Sequence, residues 1–178
     1  MKSNLIAAAS AVALLAVAAP AFAESSDGLS HITAYTNFGY AYSNPDQGKF
    51  HVLDGRLGAK FGRYIGIEGE AGFGLNTQTF SGVKLKLTSS YAGYGVAFLP
   101  VSSNLDLFAR VGYGRSNIRG TLGGVSTTVG ENSVNFGGGV QYFWTPNDGT
   151  RLDYTRYDFR NNGGSANVYG ISWVHRFQ

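Results

Sequence analysis

The sequence predicts an all-β fold, an eight-stranded antiparallel up-and-down transmembrane β-barrel that follows a cleavable signal peptide. Three observations predict it. Apolar and polar residues alternate over most of the chain, which is the period of a strand with two unlike faces. The 178 residues include 26 Gly, 12 Phe and 11 Tyr but 4 Pro, a composition that suits a twisted antiparallel sheet. Short and long connections take turns between the alternating segments, as expected when strands run up and down.

The amino-terminal segment 1–23 has the order of a secretory signal peptide. Lys2 provides a positive start, an Ala/Leu/Val-rich run covers 5–19, and Ala21-Phe22-Ala23 is a small-x-small cleavage site. The run is shorter than the roughly 20 residues that a membrane-spanning helix needs. We therefore predict cleavage after Ala23 and one mature domain, an outer-membrane β-barrel domain of residues 24–178. The chain has no cysteine, so disulfides do not stabilise this exported domain.

Eight segments of the mature domain alternate with a period of two residues. In chain order they are 31–42, 50–61, 65–75, 85–99, 105–114, 133–144, 151–159 and 167–177. Short turns at 62–64, 100–104 and 145–149 alternate with longer connections at 43–49, 76–84, 115–132 and 160–166. Short turns at one rim and longer loops at the other are typical of bacterial outer-membrane barrels.

The two faces of these strands differ in chemistry. One face is apolar and aromatic, and includes Leu57, Phe73, Leu85, Leu87 and Trp144. The other face combines glycines with a few charges of balanced sign, whereas a solvated outer face would carry many Lys, Glu, Ser and Thr residues. We therefore predict that the polar face points inward and the apolar face meets lipid, with every strand paired because hydrocarbon offers the backbone no water. A soluble periplasmic barrel, with its apolar face inward, is the alternative fold.

Eight strands leave an interior only wide enough for side chains. We expect the inward charges to form one buried ion network that seals the lumen, centred on Glu68, Arg110 and Arg151. The predicted network comprises Asp54, Arg56, Glu68, Glu70, Arg110, Arg151 and Asp153.

The long-loop rim carries positive charge at Lys84, Lys86, Arg115 and Arg119. These residues are candidates for contact with lipopolysaccharide phosphates or with an acidic extracellular ligand, and the alternative is ordinary solvated loop charge. The longest connection, 115–132, contains a β-prone Val-Ser-Thr-Thr-Val segment and a Gly-Gly pair. It predicts a hairpin above the membrane with Gly123-Gly124 near the tip.

Other chemistry finds little support in the sequence. The three histidines, His31, His51 and His175, lie far apart, and none has a nucleophile and an orienting acid at a suitable spacing. No catalytic residue, cofactor or metal site is therefore predicted. The formal net charge is +3 without a basic stripe, so nucleic acid is not an expected partner. A lipid-A-modifying enzyme and a narrow porin-like solute channel stay open as alternatives to a structural or surface-interacting barrel.

Four stretches resemble the OmpA-like eight-stranded outer-membrane barrels, the family of the transmembrane domain of outer-membrane protein A. They are YIGIEGEAGFGL at 64–75, LDLFARVGYG at 105–114, GGVQYFWTPNDGTRLDY at 138–154 and SWVHRF at 172–177. The resemblance implies an outer-membrane location, insertion by the barrel-assembly machinery, and contact with outer-membrane lipid and lipopolysaccharide. It also implies a structural or surface-interaction role, and we expect a monomer.

The resemblance extends to one interior ion pair of the family and departs at another. The family pairs a lumenal Glu on its third strand with an Arg on its seventh, and Glu68 and Arg151 match these places. The neighbouring Lys–Glu pair of the family falls on Val96 and Gln141. A gate that exchanges partners between two ion pairs is therefore not expected.

Overall fold

The computed structural model of the chain describes residues 32–45, 49–80, 82–160 and 164–177. The predicted signal peptide lies outside these residues. The described residues form nine strands: β1 (Ile32–Pro45), β2 (Phe50–Phe61), β3 (Ile65–Gly74), β4 (Thr77–Phe80), β5 (Val83–Pro100), β6 (Leu105–Leu122), β7 (Val125–Phe143), β8 (Asp148–Phe159) and β9 (Ser165–Phe177). No helix in the described ranges has the length and apolar character needed to cross a membrane.

Eight long strands close into a ring. Each pairs antiparallel with its neighbour, and the ring is completed by the pairing of β1 with β9 and of β3 with β5. The short β4 continues the path of β3 and pairs with the start of β5. Closure satisfies the ladder hydrogen bonds of all eight strands, which hydrocarbon surroundings require. The predicted eight-stranded all-β barrel is confirmed.

Side-chain exposure shows which face is the inside. Leu57 is 69% exposed and Phe73 is 60% exposed on the outer surface, whereas Arg151 is completely buried and Arg56 is 3% exposed. The apolar face therefore points outward and the charged face inward. This arrangement is opposite to that of a soluble barrel, which buries its apolar face.

Glycines permit close approach of two strands on the inner face. A Cβ atom at Gly137 would overlap the backbone of Tyr154 and Thr155, and one at Gly139 would overlap the backbone of Leu152. Both glycines lie on β7 opposite β8. The tight coiling of this strand pair therefore depends on the absence of side chains at these two positions.

The predicted orientation of Leu85 and Leu87 is wrong. The pairing of β5 with β6 shifts register between Leu87 and Ser89, which is a β-bulge at Thr88. One extra residue reverses the parity of the strand beyond it, so Leu87 is buried inside the barrel and Leu85 packs beside it. Alternation alone contains no signal for this inserted residue.

Two connections of the long-loop rim, 76–84 and 115–132, contain paired strands. β6 and β7 pair continuously up to Leu122 and Val125, so the 115–132 connection forms the expected hairpin. Gly123 and Gly124 occupy its tip with φ of 58° and 85°, a conformation that favours glycine. The 76–84 connection, which was predicted to be a loop, contains β4 paired with Val83–Lys86.

Candidate functional site

Side chains fill the lumen from one rim to past its middle. We call the rim with turns 62–64, 101–104 and 144–147 the short-turn end, and the opposite rim, which carries the β6–β7 hairpin, the long-hairpin end. At the short-turn end, Asp106 Oδ2 accepts hydrogen bonds from Lys60 Nζ at 3.2 Å, Gln141 Nε2 at 3.0 Å and Arg176 Nη2 at 3.1 Å. This cluster occupies the short-turn mouth of the barrel.

An aromatic layer lies behind that cluster. It consists of Tyr35, Tyr94, Phe98, Phe108 and Phe143, all at most 5% exposed. The Tyr35 and Phe98 rings meet edge to face with centroids 6.2 Å apart. This layer was not predicted, because the inner face was expected to carry glycines and charges. The parity of Phe108, which lies between Asp106 and Arg110, is the signal that identifies it.

The central level begins with a buried pair between Arg151 and Glu68. Arg151 Nη1 donates to Glu68 Oε1 at 2.5 Å and Nη2 donates to Oε2 at 3.2 Å. The Tyr35 hydroxyl donates to the same carboxylate at 2.8 Å. The Arg151 guanidinium also lies 3.7 Å from the ring centroid of Phe108. A fork of two charge-assisted hydrogen bonds fixes the orientation of both side chains.

The rest of the network consists of carboxylates around the guanidinium groups of Arg56 and Arg110. Arg56 Nε donates to Glu70 Oε2 at 2.7 Å, and its Nη1 donates to Asp153 Oδ1 at 2.8 Å. Arg110 Nη1 donates to the same Glu70 oxygen at 3.1 Å, and its Nη2 donates to Asp153 Oδ2 at 2.9 Å. Asp54 Oδ2 lies 2.9 Å from Arg56 Nη2.

These contacts follow from the strand register. Arg56 of β2 is the direct partner of Glu70 of β3, and Glu68 follows on the same face because side chains two residues apart point the same way. Arg110 Nη1 lies 3.7 Å from Glu68 Oε2 and so connects the two parts of the network. The structure thus brings all seven residues of the predicted network together. They comprise four carboxylates and three guanidinium groups.

Basic side chains cluster on the outer surface of the long-hairpin end. Lys86 of β5 is the direct partner of Arg119 of β6, and Lys84 lies two residues along on the same face of β5. All three are exposed. We call Lys84, Lys86 and Arg119 the basic patch. Arg115 is set apart from it, half-buried, with Nη1 donating to Asn132 Oδ1 at 3.3 Å.

The structure supplies one histidine with an acid that sequence spacing did not reveal. Asp148 is the register partner of His175 across β8 and β9, and the His175 Nδ1 atom lies 2.9 Å from Asp148 Oδ1. Thr36, opposite His175 on β1, donates its hydroxyl to the Arg56 carbonyl at 3.0 Å. Asp148 is the side-chain hydrogen-bond partner of this imidazole within the described ranges, and no hydroxyl group there is hydrogen-bonded to it. His51 bonds to the Tyr40 hydroxyl, and His31 lies outside those ranges.

A closed ring with an apolar outer face and a charged interior defines a transmembrane β-barrel. The chain belongs to the outer membrane protein beta-barrel domain family, which it matches over residues 9–177. It is therefore an OmpA-like protein of the outer membrane, as predicted.

One curated relative shares sequence with part of the chain. Over 75 residues the chain is 35% identical to outer membrane protein A of Shimwellia blattae, a match that covers 40% of this chain and 30% of that protein. The chain thus corresponds to less than a third of that relative.

Two solved structures show the same fold at low sequence identity. Ail, the attachment invasion locus protein of Yersinia pestis, in complex with the heparin analogue sucrose octasulfate, aligns with a TM-score of 0.65 at 15% identity, over 83% of this chain and 99% of Ail. The N-terminal β-barrel domain of Pseudomonas aeruginosa OprF aligns with a TM-score of 0.61 at 11% identity, over 80% of this chain and 97% of that domain.

Proposed function

We propose that this barrel is a non-enzymatic outer-membrane protein that binds an anionic surface ligand through its long-hairpin end. The ligand carries phosphate or sulfate groups, as in lipopolysaccharide or an acidic glycan, and the basic patch contacts them. In this proposal the long hairpins face the cell exterior. The barrel is inserted by the barrel-assembly machinery and remains a monomer whose apolar outer surface is covered by lipid.

The cross-strand pair of Lys86 and Arg119 carries this proposal. Like charges placed directly opposite each other on two strands destabilise a sheet. Within the described ranges, neither side chain, nor Lys84, lies within 4.0 Å of a carboxylate that would offset the repulsion. A multivalent anion bound above the patch removes the repulsion and gains two or three charge-assisted hydrogen bonds. The ligand-free barrel is thus arranged to gain stability by binding an anion.

The solved relative adds a chemical parallel. Ail was crystallised with sucrose octasulfate, a heparin analogue, which is a polyanion of the kind that a basic rim attracts. The identity to Ail is 15%, so this parallel suggests a probe and does not assign a residue.

The filled lumen supports a surface role over transport. The mouth cluster, the aromatic layer and the ion network follow one another along the barrel. This filling favours a binding role at the rim over the passage of solutes through the lumen. We propose that these levels seal the pore against solutes. The alternative of a lipid-A-modifying enzyme has the His175–Asp148 pair in its favour, but this pair lies at the short-turn end, away from the basic patch.

Binding to a defined polyanion tests the proposal. The folded barrel in lipid nanodiscs is titrated with heparin at several salt concentrations, and we expect affinity that falls steeply as salt rises. The double charge reversal Lys86→Glu/Arg119→Glu is expected to weaken binding at least tenfold. Arg63→Glu, at an exposed site of the short-turn end, changes the charge by the same amount as the single variant Arg119→Glu and serves as the control for it.

Two results would contradict the proposal. Equal affinity of the double variant and the wild type would remove the basic patch from the interaction. An equal loss of affinity in Arg63→Glu and in the single variant Arg119→Glu would show that heparin responds only to the total charge of the barrel.

A further inference from the structure

The long-hairpin half of the lumen contains a cavity of about 460 Å³. Its walls are apolar and include Phe50, Val52, Leu87, Ile118 and Val168, and its floor is the Asp54 side of the ion network. A cavity of this volume accommodates a small organic molecule. The basic patch lies on the outer surface and does not line this space.

The apolar walls are not a by-product of the barrel fold. The lipid-facing surface of a transmembrane barrel is apolar, but its interior is ordinarily polar. Here the β-bulge at Thr88 turns Leu85 and Leu87 inward, where they join Ile118 of β6. Bulges are frequent beside binding sites because they redirect side chains. The register shift therefore builds one apolar wall of the cavity.

The charges that line the cavity are predominantly negative. Its described lining contains the carboxylates Asp54, Glu70 and Glu131 but a single cationic side chain, Arg56. Arg56 is shared, because it also donates to Asp153. Glu131, near the rim, has no cationic side chain within 4.0 Å among the described residues.

Asp54 is the least satisfied member of the floor. It is 6% exposed, and its Oδ2 atom accepts no hydrogen bond from any described residue. The contact of 2.9 Å with Arg56 Nη2 is electrostatic and lacks the alignment of a hydrogen bond. A buried carboxylate with an unsatisfied oxygen is costly, so a ligand that brings a donor to the Asp54 side chain, which lines the cavity, gains affinity.

We propose that this cavity binds a small hydrophobic amine, with its apolar body against the leucine wall and its ammonium group donating to Asp54. The charge of the lining selects this class of ligand. A fatty acid or another apolar anion would place a second negative charge beside Asp54 and Glu70, and a neutral apolar molecule would leave the Asp54 oxygen without a donor. The inference concerns the interior of the barrel and is independent of the anionic ligand proposed for its outer surface.

Three probes that share one adamantane body and differ in charge test this inference. The folded barrel in lipid nanodiscs is titrated with 1-adamantylamine, 1-adamantanol and adamantane-1-carboxylate, and saturable binding above that of empty nanodiscs is measured by NMR saturation transfer. We expect the amine to bind about tenfold more tightly than the alcohol, because both can donate a hydrogen bond to Asp54 but only the ammonium group also places a positive charge opposite the carboxylate. The carboxylate is expected to bind more weakly than the alcohol.

Variants assign the binding to this cavity. Asp54→Asn should reduce the affinity for the amine to that for the alcohol, while Asp158→Asn, whose side chain does not line the cavity, should leave both affinities unchanged. Leu87→Phe should weaken both probes by occupying space. Circular dichroism in the same nanodiscs confirms that each variant is folded.

Several results would overturn the inference. These are equal affinity for the three probes, preference for the carboxylate, or an unchanged amine affinity in Asp54→Asn. Binding that appears only after the connections 43–49 and 160–166 are shortened would also overturn it, because it would show that the chain covers its own cavity.

Discussion

Arg151 and Glu68 lie 83 positions apart in the sequence and form a doubly hydrogen-bonded ion pair with no solvent-exposed side-chain surface. The pair joins β8 to β3 across the lumen, and these strands are not neighbours in the ring. It therefore connects opposite walls of the barrel directly. Such a cross-brace contributes to stability only as a pair, because either charge alone would be stranded in the interior.

Removal of one partner is expected to destabilise the barrel strongly. Arg151→Ala leaves Glu68 without its main partner, and loss of one member of a buried pair typically costs about 3–5 kcal/mol. The urea midpoint of the detergent-folded barrel should therefore fall far more in Arg151→Ala than in Arg119→Ala, which removes an exposed arginine. Equal midpoints for the two variants would show that Arg151 contributes no more than a surface residue.

The second prediction concerns the orientation of the barrel in the membrane. A cysteine introduced at Gly123, at the tip of the β6–β7 hairpin, should react with a membrane-impermeant maleimide on intact cells. A cysteine at Asn147, in a short turn, should react only after the cells are disrupted. The chain has no native cysteine, so the labelling has no background from the protein itself. The reverse pattern would place the long hairpins in the periplasm.

The third prediction separates the hairpin from the barrel. Residues 118–129 form the outer part of the β6–β7 hairpin, in which 118–121 also pair with 84–87 of β5, and the β6–β7 ladder continues below them through the pair Asn117–Gly130. Replacement of 118–129 by a two-residue turn should leave folding and membrane insertion intact but remove heparin binding, since Arg119 is lost. Loss of folding would make the hairpin a structural element. Retained binding would direct attention to the 76–84 and 160–166 connections.

The fourth prediction addresses the enzymatic alternative. If His175 acted as a base oriented by Asp148, substitution of either residue would change the lipid A of the producing cells. We expect His175→Gln and Asp148→Asn to leave the lipid A mass spectrum identical to that of cells with the wild-type barrel. A modification present with the wild type and absent with both variants would establish an enzyme.

Much of the fold was predictable because a two-sided strand records its orientation in its sequence. The alternation around Glu68 and Arg151 places both inside, and closure follows because hydrocarbon does not tolerate unpaired strands. The partner of each buried charge could not be predicted in the same way. Which side chains meet across the lumen depends on strand register and on the stagger of the ring, and neither is written in the alternation of one strand.

The sequence-based predictions that were wrong or incomplete have specific physical causes. Leu87 was placed outside because a β-bulge reverses parity without changing the composition of the strand. The pairing of His175 with Asp148 depends on the register of β8 and β9, which a local search around the histidine does not reveal. By contrast, Phe108 was on the correct parity for the interior. It was overlooked because an aromatic residue was expected to face lipid.

Electrical recording shows whether the side chains of the ion network and the aromatic layer seal the lumen, as we propose. The purified barrel is reconstituted in planar lipid bilayers in symmetric salt, and the current is followed at several voltages. We predict at most rare and brief openings for the wild type, and more frequent openings for Arg151→Ala, in which the cross-brace to Glu68 is removed. Steady conductance of the wild-type barrel would show that the lumen is not sealed and identify the protein as a narrow channel.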